Sequence, residues 1–161
     1  MVVLGIDPGS CTTGFGVVRT QRGRLHLIEG GCVRTSSSDP MGERLLKIHE
    51  GLSAAFDRHP EVTAVAIEAI FKHKSSESAL RLGQARGVAL LVAVQHGFEP
   101  VAYNPGTVKR TVGAHGRADK HAIGRIVSML LGETPEGPHD VADALAIAIT
   151  HINHIRNGAA A

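Results

Sequence analysis

The sequence has no tryptophan, one tyrosine and four phenylalanines in 161 residues. Aromatic rings therefore contribute little to its core, and a phenylalanine among polar neighbours stands out. Only two cysteines are present, Cys11 and Cys32. Two are too few to staple a secreted domain, and they form no metal-ligand spacing, so they read as reduced thiols and no zinc site is expected. No apolar run approaches the roughly 20 residues needed to span a bilayer. Residue 1 leads straight into a strand pattern with no basic region or cleavage site, so a soluble, cytoplasmic protein is expected. Neither sign of charge dominates, with 17 Lys and Arg against 15 Asp and Glu. Internal repeats and low-complexity linkers are absent too. The length suits one domain, over 1–156, with a short small-residue tail at 157–161.

The net charge of +2 conceals an uneven distribution. Phe71 to Arg86 carries Lys72, Lys74, Arg81 and Arg86 against Glu77, and Pro105 to Arg125 carries five bases against Asp119 alone. From Ile126 onward, Glu133, Glu136, Asp140 and Asp143 face only Arg156. This pattern fits a basic surface beside an acidic centre.

Val2 to Ile6 is a β-branched, apolar run broken by Pro8-Gly9, which predicts a strand ending at Asp7. Gly14–Arg19 and Leu25–Thr35 supply two more strands around the turn-prone Gln21-Arg22-Gly23, giving an antiparallel meander. Asp39 is positioned to cap a helix with Pro40 at its first residue and Met41, Leu45, Ile48, Leu52 and Phe56 on one stripe, ended by His59-Pro60. Val62–Ile67 reads as a strand buried on both faces that terminates in Glu68. A right-handed crossover lays it parallel to the first strand, bringing Asp7 and Glu68 to one edge of the sheet, where open α/β sheets place their ligands.

A helix from Ala79 to Gln95 is apolar nearly all round, so wide burial is expected, with Gly97 closing it. Gly83 and Gly87, one turn apart, let another backbone approach, either within the molecule or across a subunit interface. Pro100–Tyr103 reads as a last strand. Helices follow from Asn104-Pro105 to Val112, from about Arg117 to Leu131, and from about His139 to Ile155.

Asp140 and Asp143 stand three apart at the start of the last helix and share a face. Taken alone, Asp140 also suits a helix cap, with Asp143 serving the first turn, and Asp7 suits an Asp-Pro-Gly turn. Together with Asp7 and Glu68 they make four carboxylates that repel one another unless a cation intervenes. Hard oxygen ligands without nearby Cys or His favour Mg²⁺ or Mn²⁺. Two such ions roughly 4 Å apart activate a water and stabilise the leaving 3′ oxygen of a phosphodiester.

Four ordered blocks carry a resemblance. They are Gly5-Ile6-Asp7-Pro8-Gly9-Ser10, Ala66-Ile67-Glu68 with Phe71, Ala79 through Gly87, and Asp140-Val141-Ala142-Asp143-Ala144-Leu145-Ala146-Ile147-Ala148. In these the chain resembles, over nearly its whole length, the RuvC family of Holliday-junction resolvases within the ribonuclease-H-like superfamily. The resemblance implies an α/β fold, a five-stranded mixed sheet flanked by helices. It also implies that Asp7, Glu68, Asp140 and Asp143 are the metal-binding catalytic acids, with two Mg²⁺ per site and Mn²⁺ able to substitute. A homodimer, with the Gly83/Gly87 helix at its interface, would nick two strands of like polarity symmetrically across a four-way DNA junction. Coupling to the branch-migration proteins RuvA and RuvB is a further implication.

Phe71, beside Lys72, His73 and Lys74, is placed to stack on an unpaired base, a role the resemblance supports over that of a core residue. Lys109 and Lys120 match lysines that the family places near the scissile phosphate, and Arg110 and Arg117 are expected to add phosphate contacts. His139 is expected in the loop outside the metal ligands, and His151 and His154 at the surface. Three rival readings fit the sequence less well. An RNA-processing relative of the same fold lacks support in the Gly83–Gly87 block. An actin-like kinase needs a second lobe and a phosphate loop that Gly9–Phe15 does not supply. A non-catalytic junction-binding module would show a replaced carboxylate, and none is replaced.

Overall fold

A computed structural model describes residues 1–69, 75–113 and 121–158. Strands β1 (Val2–Asp7), β2 (Thr12–Gln21) and β3 (Arg24–Arg34) form the expected meander. Its turn places Arg22 and Gly23 at positive φ, of 51° and 81°. Helix α1 (Met41–Arg58) leads to β4 (Ala64–Glu68), helix α2 (Ser76–Gln95) and β5 (Val101–Tyr103), then to α3 (Pro105–Val112), α4 (Ala122–Leu131) and α5 (His139–Arg156). The sheet order is β3-β2-β1-β4-β5, with β1 antiparallel to β2 and parallel to β4, and β4 parallel to β5.

Two cores lie on opposite faces, and strand alternation assigns each residue to one of them. Val2, Leu4 and Ile6 of β1, with Val65 and Ile67 of β4, pack against α1 and α2. Val3 and Ala66 turn to the other face, under α3, α4 and α5. Asp7 and Glu68 have the parity of Val3 and Ala66, so both project to the α5 side. The register pairs Ile6 with Ile67, which sets Asp7 and Glu68 side by side at the carboxyl edge.

Helix α5 lies unusually close to the sheet because β1 and β2 present glycine beneath it. A Cβ on Gly5 would fall 2.1 Å from the Ala144 carbonyl oxygen, and one on Gly14 would fall 2.0 Å from that of Asp140. Backbone atoms cannot yield cheaply, so glycine is required at both positions.

Several expectations need correction. Asp39 is not the cap of α1: the first turn closes on the Pro40 carbonyl, with Arg44 N–H donating at 3.1 Å, and Asp39 instead pairs with Lys47 at 2.7 Å. The strand before Glu68 begins at Ala64, because Thr63 hydroxyl and N–H bond to the Val2 carbonyl and end the ladder there. Helix α2 starts three residues early, since Ser75 Oγ accepts from Ser78 N–H. The start foreseen near Arg117 lies outside the described residues. Wide burial of α2 is not met within one chain. Ala85, Ala89, Val92 and Ala93 are buried, whereas Leu80, Leu91 and Val94 are 63%, 52% and 54% exposed and nothing stands within 4 Å of a Cβ on Gly87. His151 is no surface residue either: it is buried, and Tyr103 Oη lies 2.9 Å from its Nδ1. Among the described residues no helix is long and apolar enough to cross a membrane.

Candidate active site

The loop after Asp7 is held without using the Asp7 carboxyl. Buried Thr13 donates its hydroxyl to the Gly9 carbonyl at 2.8 Å and accepts from Gly9 N–H at 3.3 Å. Ser10 carbonyl accepts from Thr35 Oγ1 at 2.6 Å and from Arg44 Nη2 at 2.6 Å. Arg44, itself buried, also reaches Cys11 Sγ at 3.2 Å. Asp7 is thereby left facing α5 rather than capping its own turn.

Glu68 is fixed from the opposite side. Arg86 of α2 donates Nε to the Glu68 backbone carbonyl at 3.0 Å, and Ala69 N–H donates to the Tyr103 carbonyl at 2.8 Å. The strand end is thus tied to both α2 and β5.

Asp140 and Asp143 lie in the first two turns of α5 and complete the set. No side-chain bond caps this helix, whose N-cap is Pro138, so the capping role open to Asp140 is not the one it takes. The acids lie within electrostatic reach of one another. Burial, then the charges of Glu68, Asp143 and Asp140, push the Asp7 carboxyl up to about 9. Burial and Asp143 raise Glu68, against a hydrogen bond from Asp7 and the charge of Lys109. Burial and Asp140 raise Asp143, opposed by His139 and Lys109. Among the described residues no three His, Cys, Asp or Glu side chains converge as a ready-made cation cage. Asp7 and Glu68 share a hydrogen bond instead, which requires one of them to keep its proton.

This donor set fits a hard divalent cation. All four groups are carboxylate oxygens, and their mutual repulsion is what a cation relieves on displacing the shared proton.

Of the basic residues foreseen, Lys109 is brought to the acids, where its charge acts on Glu68 and Asp143. Arg110 is not; it is exposed and bonds Thr107 Oγ1 at 3.4 Å. Phe71, Lys72, Lys74, Arg117 and Lys120 lie outside the described residues. His139 belongs to the first turn of α5 rather than to the loop, edge-on to His121 with ring centroids 4.7 Å apart. Sequence reasoning missed Thr13, Arg44 and Arg86 as supports. Arg44 left no signal, because Leu45 already fills the apolar stripe of α1 in the turn before Ile48.

A five-stranded mixed sheet with acids from two neighbouring strand ends and the last helix has the form of a ribonuclease-H-like nuclease. Comparison with known proteins narrows this. The family model described as "Crossover junction endodeoxyribonuclease RuvC" matches residues 3–151. RuvC of Legionella pneumophila strain Philadelphia 1 is 41% identical over 157 residues, covering 98% of this chain and 89% of the relative. That of Afipia carboxidovorans is 45% identical over 152 residues, covering 94% and 88%. The solved structure of T. thermophilus RuvC in complex with Holliday junction substrate superposes with a TM-score of 0.88 at 35% identity, covering 99% of this chain and 98% of that one. The chain belongs to the RuvC family of crossover junction endodeoxyribonucleases, which are metal-dependent nucleases.

Proposed function

We propose that the protein resolves four-way DNA junctions by paired, symmetric nicks in two strands of like polarity, as a homodimer holding two Mg²⁺ ions per site on Asp7, Glu68, Asp140 and Asp143. The observation that carries this reading is the gathering of four acids, from β1, β4 and α5, at one sheet edge, in a chain whose relative was solved on a Holliday junction.

The cations would supply an activated water and charge neutralisation at the leaving 3′ oxygen. The residues of this chain do the rest. Glu68 and Asp7 give up their shared proton on loading, Arg86 and the Thr13–Arg44 bonds hold the two strand ends at fixed spacing, and Lys109 lends an ammonium to the phosphate beside the acids. Phe71 would stack on an unpaired base, and Lys72, Lys74, Arg110, Arg117 and Lys120 would contact the backbone. Mn²⁺ is expected to substitute for Mg²⁺, and RuvA and RuvB to be partners.

The dimer is supported by the bare side of α2. Leu80, Gly87, Leu91 and Val94 recur at intervals of seven, four and three, an apolar seam of coiled-coil spacing that one chain leaves in water. A twofold axis along it would set two acid sites facing one junction.

The test is cleavage of a synthetic mobile junction with Mg²⁺, comparing native protein, Asp7→Asn and linear duplex. Paired nicks on the junction, reduced about a thousandfold or more in Asp7→Asn with binding retained, are expected. Junction binding by the native chain without nicking in Mg²⁺ or Mn²⁺ overturns the catalytic reading.

A further inference from the structure

A cleft of about 530 Å³ opens between α4 and the turn leading into α5. Its walls include His121, Gly124, Arg125, Met129, Pro135 and His139. None of these was assigned a role in DNA contact by the sequence, and His139 was placed away from the chemistry. The position is what makes the cleft informative. His139 forms one of its walls and directly precedes Asp140 at the start of α5, so the cleft begins one residue away from the acids.

We propose that this cleft seats one nucleotide of the cut strand, next to the scissile phosphate, with its base between the imidazole pair and the Met129 thioether. This rests on the reading that the chain cuts DNA at Asp7, Glu68, Asp140 and Asp143. Three observations favour such an occupant. The volume lies within the roughly 300–1,000 Å³ of sites that enclose small organic ligands. His121 and His139 stand edge-to-face at 69°, so two aromatic rings packed on each other line the cleft together. Met129 is 82% exposed on the final turns of α4, a polarisable, adaptable side chain left in water at the cleft.

Gly124 gives a direct way to fill the cleft. It lies within α4, and a Cβ there would meet only the Ala142 methyl, at 3.9 Å. Leucine at this position puts a side chain into the space while improving helix propensity, so Gly124→Leu is expected to fold.

The experiment is a cycle of protein and substrate changes on the full chain. Native protein, Gly124→Leu and Met129→Ala are each assayed on the intact junction and on junctions abasic at single positions one and two nucleotides either side of the cut. Native protein is expected to slow about tenfold at one of these positions, each variant to slow similarly on the intact junction, and the two losses not to add. A 2-aminopurine at that position should change fluorescence when native protein binds without metal, and not when Gly124→Leu binds. Additive losses, or equal fluorescence changes with both proteins, overturn the proposal while junction cleavage stands. A native protein that nicks no junction overturns the cleavage reading, and this one with it.

Discussion

In the cation-free protein Asp7 keeps its proton through the neutral range, with its pKa near 9, whereas the unfolded chain releases it near 4. Between those values the folded state binds more protons than the unfolded state, so stability falls as pH rises. We therefore expect the Tm without divalent cation to decline from pH 5 to pH 9, and the decline to be shallower in Asp7→Asn, whose amide does not titrate. Mg²⁺ replaces the proton, so it should raise the native Tm more at pH 8 than at pH 5 and have little effect on the variant. Scanning calorimetry with EDTA or Mg²⁺ checks both, and equal slopes for the two proteins would sink the account. The four acids were legible in the sequence because each combines a residue type with a strand or helix terminus. Arg86 and the Tyr103–His151 pair were not. Their partners are chosen by three-dimensional proximity, 48 residues apart for the last pair, and no periodicity reports that.

At the scale of elements, the close seating of α5 on glycine makes a sharp prediction. Gly14→Ala puts a methyl where the Asp140 carbonyl oxygen now lies, and the helix end must lift. We expect a loss of about 3 kcal/mol in urea unfolding together with weakened Mg²⁺ binding, because Asp140 moves with its backbone. An unchanged urea midpoint would show that the helix accommodates the methyl. The sequence revealed the elements themselves through their periods of two and 3.6. It misplaced their ends where a single side chain decides them, as Ser75 does for α2 and the Thr63 hydroxyl does for β4. Nothing in the strand pattern marks Gly5, Gly14 and Gly16 as required, since the helix that needs them lies more than 120 residues later.

For the whole molecule, the outer side of α2 is the surface that one chain does not account for. Leu91→Glu changes a residue 52% exposed in the single chain, so the monomer should keep its fold, with its own stability changed by no more than about 0.5 kcal/mol. We expect sedimentation to shift from dimer to monomer. Paired nicking should be lost while single nicks persist, because each chain holds a complete set of acids. A Leu91→Glu protein that still sediments as a dimer would place the interface elsewhere. The near-continuous hydrophobicity of this helix signalled burial on more than one side but could not say whether the second cover came from the same chain.

Helix α5 follows every strand of the sheet in the chain, yet it covers the middle of that sheet and carries Asp140 and Asp143. During synthesis Glu68 emerges before Asp140 and Asp143 by about 4 to 15 seconds at typical elongation rates, and Asp7 earlier still. Through that interval a nascent chain has only two of the four acids proposed to hold the cations, and its β1 and β4 show Val3 and Ala66 to solvent instead of to α5. On the proposed reading the growing polypeptide is thus unable to cut DNA but sticky towards its neighbours, and completion of α5 ends both conditions together.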